Sequence, residues 1–245
     1  FDRYLGVGLT ALETASRYID NFSRSQEALA YYLGLRQTHG LPRLLFAQTT
    51  FNALGNDTDI EKDDATWATA HDATSGTVES AVNQVRAGGN GTVFVIRRFF
   101  CRCDTSSLTV DATITAADLK IYITAKVDDN ATNLDIVQST ATDGVLVSTD
   151  YDNLGTTAYA SNTLAGMTLN EYSTFSLSAG GQADISKTAN TKFAWRIKRD
   201  TDNSAPLVSQ DNSITQQASG DGNPEQLVVT YTLPVTTRSM PFLIY

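Results

Sequence analysis

A chain of 245 residues, 41% hydrophobic and 18% charged, is too apolar for disorder, and its 33 threonines make it too β-branched for a helical bundle. A formal charge of −9 disfavours nucleic-acid backbones and anionic membrane surfaces as partners, and no run approaches the roughly 18 to 20 apolar residues of a membrane span. Cys101 and Cys103 rule out a disulfide framework and a four-cysteine zinc site, and only His39 and His71 supply imidazole. That leaves little material for acid–base or metal chemistry, so the composition favours a non-enzyme.

The first forty or so residues differ from the rest in period. Leu12, Ala15, Ile19, Phe22, Leu29 and Leu33 follow a 3-4 spacing, with Gln26 at the one polar seam position. Ser23 with Gln26 three residues on is a capping-box pattern. The spacing predicts two helices, near 9–21 and 24–33, with Gly34 as the stop and Gly40 and Pro42 closing the segment. Up to Arg43, five arginines face Asp2, Glu13, Asp20 and Glu27, so the acidity belongs to the remainder. A helical stripe this short must pack on something. Its own β domain, a sibling chain or another protein are the alternatives.

From residue 44 onward strands and turns alternate. Strands are predicted near 44–51, 77–85, 92–103, 119–127, 135–139, 173–178, 192–199 and 226–233. Turn-forming stretches separate them, among them Gly88-Gly89-Asn90-Gly91, Asp128-Asp129-Asn130 and Gly180-Gly181. About eight strands without alternating helices predict an all-β fold, an antiparallel sandwich rather than a parallel α/β sheet. Residues 118–123 alternate polar and apolar, as a half-buried strand should. On the strand over 92–103, Val93, Val95, Phe99, Cys101 and Cys103 share one face, where the cysteines read as small buried apolar residues and Arg97 needs a sheet end or a carboxylate. Phe193, Trp195 and Ile197 share a face too, which makes Trp195 core.

Phe99 to Leu108, followed by Asp111-Ala112-Thr113-Ile114-Thr115-Ala116-Ala117-Asp118-Leu119-Lys120-Ile121-Tyr122, resembles the signature of DNRLRE-type, carbohydrate-binding-module-like jelly-roll domains of phage and bacterial surface proteins. Asn223 to Thr232 looks like the closing strand of such modules, and Ala65 to Ala73 is similar to their opening stretch in phage-encoded versions. Cys101 and Cys103 depart from the pattern, standing where the family tends to have Leu and Phe. The resemblance covers about 43–233 and implies a jelly-roll-like β-sandwich spanning 43–234; the helical spacing in front makes 1–42 an N-terminal helical arm, and the apolar end makes 235–245 a tail.

Asp57, Asp59, Glu61 and Asp63 place carboxylates at alternate positions, the kind of oxygen-rich set that calcium prefers, although the glycine of an EF-hand loop is missing. The resemblance implies a structural calcium ion, and solvated turns are the alternative, as for Asp128-Asp129-Asn130 and Asp150 to Asn153. Tyr151, Tyr159 and Tyr172 are the candidate glycan contacts, as exposed aromatic faces. No nucleophile elbow, zinc-protease helix, phosphate loop or dinucleotide fingerprint is present, and His71-Asp72 lacks a nucleophile. Leu12, Ile19, Phe22, Leu29 and Leu33 in front, and Phe242, Leu243, Ile244 and Tyr245 behind, are the expected assembly contacts.

These features, with the resemblance, predict a structural or adhesion component of a phage-like virion, such as a decoration, head-fibre or tail-associated protein. Its partners would be sibling subunits, other virion proteins and a host surface glycan, on the virion or outside the cell. A secreted carbohydrate-binding module is the alternative.

Overall fold

Polar and apolar residues alternate without a break from Ala117 to Ile123, and in the computed structural model this stretch anchors the longest strand of the molecule. The structure describes residues 45–55, 57–79, 83–217, 220 and 222–234. The helices expected over 9–21 and 24–33 and the tail over 235–245 lie outside the described residues. Among the described residues there are twelve strands: β1 (Leu45–Asn52), β2 (Thr58–Asp64), β3 (Thr77–Glu79), β4 (Gln84–Gly89), β5 (Phe94–Asp104), β6 (Thr113–Asp128), β7 (Asn133–Ser139), β8 (Leu154–Thr163), β9 (Glu171–Ser176), β10 (Asn190–Ile197), β11 (Asn212–Gln216) and β12 (Gln226–Leu233). Three short α-helices, α1 (Trp67–His71), α2 (Ala179–Ala183) and α3 (Lys198–Thr201), and a 3-10 turn over Ser148–Asp152 interrupt them. Residues 46–232 form one compact unit.

The strands form one antiparallel ladder in the order β1-β12-β6-β11-β4-β5-β10-β7-β8, with β2 on β5, β3 on β2 and β9 on β6. Two long strands turn this ladder into layers by changing partners along one edge. On β5, Phe94 to Arg97 pair with β4, while Phe99 to Asp104 pair with β10. On β6, residues 113–120 pair with β12 and 123–128 with β11. Strands that pass from one sheet to another in this way make the corners of a sandwich. The outer strands also meet, since Asn162 on β8 donates its side-chain amide to Thr174 O on β9 at 2.8 Å. The all-β antiparallel sandwich expected from the sequence is what the chain forms.

One apolar cluster fills the interior. Leu119, Ile121 and Ile123 of β6 meet Phe175, Leu227, Val229 and Ile214 from neighbouring strands, with Phe99, Phe193 and Trp195 from the other part of the ladder. Each is essentially solvent-free, worth about 1.5–3 kcal/mol per large side chain relative to exposure. Trp195 N–H donates to Gln216 Oε1 at 2.6 Å, although β10 and β11 are not ladder neighbours. That bond crosses the core. Cys101 and Cys103 are buried free thiols, as expected.

The structure corrects the strand list at several places. The strand expected over 77–85 is two strands, β3 and β4, and that over 192–199 ends at Ile197, where α3 begins. β6 starts at Thr113 rather than 119. Strands β2, β8 and β11 were not expected. β2 reads Thr-Asp-Ile-Glu-Lys-Asp-Asp, so its alternation is carried by charge rather than by apolar residues. β11 hides Asn212, Ser213 and Gln216 inside the protein, where hydrogen bonds rather than hydrophobicity justify burial. Gly88 and Gly89 close β4 instead of forming a turn, and a side chain on Gly89 would run into the Val208 carbonyl.

Ile121→Ala is expected to lower unfolding stability by about 2–5 kcal/mol, because a close-packed site cannot fully collapse around the deletion. Thr157→Ala on the solvent face of β8 should stay within about 0.5 kcal/mol. Equilibrium unfolding in urea measures both.

Candidate functional site

Arg98 occupies the residue of β5 that separates the β4-paired from the β10-paired stretch. It is 1% exposed. Its Nε and Nη2 donate to Asp200 Oδ2 and Oδ1 at 3.0 and 2.8 Å, and Nη1 and Nη2 donate to the carbonyls of Tyr151 and His71, each at 3.0 Å. The guanidinium lies 4.1 Å from the centre of the Tyr151 ring. Arg196 of β10 completes the knot, donating from Nε to Asp200 Oδ2 at 2.7 Å and from Nη2 to Asp200 O at 2.9 Å. Burial opposes ionisation of Asp200, but the two guanidinium groups hold its carboxyl well below the usual range.

The His71 ring completes this surrounding. Its Nε2 lies 3.0 Å from Asp200 O, and its Nδ1 contacts Asp72. An imidazole between two aspartates is the most enzyme-like arrangement in the described residues. Its surroundings are structural, however: Arg98, Arg196 and His71 together tie α1, the turn over Ser148–Asp152 and α3 to β5 and β10. Neither Arg98 nor Asp200 stood out in the sequence. The available signal was a second arginine beside Arg97, with apolar residues on both sides of the pair.

The four expected calcium ligands are not gathered. Asp57 precedes β2, and Asp59, Glu61 and Asp63 follow along it at about 3.3 Å per residue, so the set spans about 20 Å. Asp59 accepts from Gln84 N at 3.2 Å and from Arg97 Nη1 at 3.4 Å, Glu61 takes Arg97 Nε, and Asp63 is exposed. Burial, eased by the Gln84 amide and Arg97, pushes Asp59 up to about 6. Among the described residues no group of three or more His, Cys, Asp or Glu side chains is placed to hold a metal ion. Alternate carboxylates here are strand residues, and Arg97 has the carboxylate partners that its place required.

The expected turn residues behave as such. Asp128 Oδ1 accepts from Thr132 N at 2.9 Å, and Asp150 accepts from Thr142 N, Val147 N and the Asn153 amide at 2.9 to 3.0 Å.

The three tyrosines differ in fate. Tyr151 is fully buried under Arg98, with its hydroxyl donating to Ala70 O at 2.9 Å, so it offers no face to a ligand. This corrects its reading as an exposed residue: a cation above the ring supplies what solvent would have supplied. Tyr159 is half-buried, edge-on to Phe193, and its phenol is bonded to Asp184; burial and that bond push it up to about 12. Tyr172 alone lines an open groove.

That groove has a volume of about 390 Å³. β8 contributes Asn162 and Thr163, the following loop Gly166, Met167 and Thr168, and β9 Tyr172, Ser173 and Thr174. Its lining carries hydroxyls, one amide, one aromatic ring and no charge. The loop is held from behind, because Lys126 Nζ donates to the carbonyls of Leu164, Ala165 and Met167 at 2.9, 3.0 and 2.6 Å. Tyr172 is held as well: its hydroxyl donates to Pro224 O at 3.0 Å, and its ring meets Tyr122 edge-on. The assembly residues from Leu12 to Leu33 and from Phe242 to Tyr245 lie outside the described residues.

No protein-family model matches the chain, and no curated protein matches it. Solved structures similar to it include the following two. A chain of the cryo-EM structure of Mud crab tombus-like virus shares 10% identity over 79% of this chain and 82% of its own length, at a TM-score of 0.29. A structure concerning the promiscuous specificity of carbohydrate-binding modules from the β-sandwich superfamily shares 11% identity over 77% of this chain and 55% of its own, at 0.22. The fold assignment rests on the strand pairing itself.

Asp200→Asn is expected to cost about 3–5 kcal/mol, since it leaves two buried guanidinium groups without their counter-charge. The wild-type carboxyl titrates below its ordinary value, so its stabilisation is present above about pH 4 and lost as the pH falls further. Urea unfolding of both proteins across this range should show the gap between them narrowing at acid pH.

Proposed function

We propose that this chain is a structural or adhesion component of a phage-like particle, displaying the sandwich and using its terminal segments for assembly. One observation carries the reading: the chain enters and leaves the sandwich at the same place. β1 and β12 are neighbours at one end of the ladder. Ala53 N donates to Glu225 O at 2.8 Å, and the Gln48 amide donates to Thr230 Oγ1 at 3.2 Å, so the two strands run in opposite directions. The start of β1 and the end of β12 therefore fall together.

The two points at which the chain joins the sandwich are thus at one end of one strand pair. β1 is the last strand of the ladder, and Phe46 on it is 55% exposed. An edge strand with an exposed aromatic residue favours contact with a partner. The knot around Asp200 supports display, because its buried ion pairs hold the connections fast to the central strands. Among the described residues no helix is long and apolar enough to cross a membrane.

The groove beside Tyr172 supports a second reading, as a secreted carbohydrate-binding module. A fixed aromatic ring among uncharged hydroxyls and an amide suits a neutral sugar. The same groove would serve a displayed sandwich that touches a host glycan.

Deleting 1–42 or 235–245 is expected to abolish self-association or particle incorporation while the strand signal in circular dichroism persists. Unchanged incorporation by both truncations, together with a strictly monomeric full-length chain, would overturn the assembly reading. On a glycan array, Tyr172→Ala is expected to lose roughly two- to tenfold in binding to neutral oligosaccharides, as contact with one aromatic ring is worth roughly 0.5–1.5 kcal/mol. Truncation of the terminal segments should leave that binding intact.

A further inference from the structure

Asp57 and Glu225 are both buried, at 9% and 1% exposure, and each keeps one carboxylate oxygen without a hydrogen-bond partner. Asp57 Oδ1 accepts from Arg102 N at 3.3 Å, and Glu225 Oε1 accepts from the Gln216 amide at 2.6 Å. Among the described residues Asp57 Oδ2 and Glu225 Oε2 accept no hydrogen bond, although the Cys101 thiol lies near enough to Asp57 to ease its carboxyl down. An ionised oxygen left in this state carries a desolvation cost that a bound proton removes.

Their place in the fold gives the pair leverage. Asp57 ends the corner between β1 and β2, and Glu225 immediately precedes β12. Within that corner, Ala53 N donates to Glu225 O and Leu54 N to Arg102 O, at 2.8 and 2.9 Å. Ala53 also bridges to Cys103 on β5. The two carboxyls thus flank the backbone bonds that join β1, β5 and the head of β12.

We propose that Asp57 and Glu225 retain protons that latch the β1–β12 edge, and that losing them in mildly alkaline solution loosens this edge while the rest of the sandwich stays closed. The latch stands on the edge geometry and goes beyond the assembly reading, which it does not require.

Among the described residues no positive side chain makes an ion pair with either carboxyl. Arg102 is the positive side chain that Asp57 senses, but its guanidinium is turned to Asp143 at 3.2 Å and to Gly55 O at 3.2 Å. Lys192 lines the small recess beside Asp57 and donates to Ala141 O at 2.7 Å. The Cys101 thiol is pushed up first by its bond with Cys103, then by burial and by Asp57, so it stays protonated. Tyr172 is raised by burial and by Glu225, and its hydroxyl is committed to Pro224. Burial first, and then the charge of Glu225, push Asp57 up to about 8; burial pushes Glu225 up to about 7. Both lie above their ordinary values, so the folded chain holds protons that the unfolded chain has released. Stability from this source is full below about pH 4 and drains away as the pH rises toward about 8.

Amide hydrogen exchange on the full-length chain tests the latch, at about pH 6 and about pH 9 with intrinsic exchange rates corrected. Protection of Ala53 and of the β12 amides is expected to fall by about tenfold or more at the higher pH, with β7 and β10 unchanged. Asp57→Asn and Glu225→Gln should each reduce that fall. A flat wild-type profile, or an undiminished fall in both variants, would overturn the proposal. Should either variant fail to fold, infrared spectroscopy of the wild type decides: a protonated-carboxyl band present at about pH 6 and lost by about pH 9 supports the latch, and its absence at the lower pH overturns it.

Discussion

The corner of β5 depends on a charge placed where the strand changes partners. Phe99 pairs with β10 and Arg97 with β4, and the guanidinium of Arg98 between them is buried. A buried arginine is tolerable only if every donor is answered and the charge is balanced. Asp200 answers the charge for Arg98 and Arg196 together. Asp152, largely exposed, adds a second carboxylate 3.7 Å from Arg98 Nη1, and the carbonyls of His71, Tyr151, Gly155 and Asp200 take up further guanidinium donors. Because those carbonyls come from α1, from the turn before β8, from β8 and from α3, satisfying the arginines also fastens four peripheral pieces to the central strands. The irregular connections of this protein thereby inherit the rigidity of its core.

Other buried polar groups follow the same logic with different success. Lys126 reaches three carbonyls and freezes the loop beside the Tyr172 groove. The chain from Trp195 through Gln216 to Glu225 satisfies an indole N–H and both ends of an amide, and stops at a carboxyl with one idle oxygen. A well-satisfied network confers rigidity, whereas a network one donor short is sensitive to whatever can supply that donor.

Legibility in the sequence tracked how local the cause was. Ala117 to Ile123 and Phe193 to Ile197 were read correctly because each second residue declares its face, and Trp195 and the cysteines followed. β11 was missed because its buried Asn212, Ser213 and Gln216 are justified only by distant partners. The carboxylates of Asp59 and Glu61 looked like a metal loop because alternation on a strand and spacing in a ligand loop are the same pattern until Arg97 is seen beside them. Asp200 stands 102 residues from Arg98, and no local pattern announces such a pair. Tyr151, set among aspartates and asparagines, read as exposed for want of the cation that covers it.

The opposed course of β1 and β12 also has a mechanical meaning. Tension applied to both ends of this chain would act at one end of a single strand pair, so its hydrogen bonds would be loaded in succession, by peeling, rather than all at once in shear. A sheet pulled in this manner yields first at its margin. The strands that carry Trp195, Phe99 and the Arg98 corner lie off the line of force.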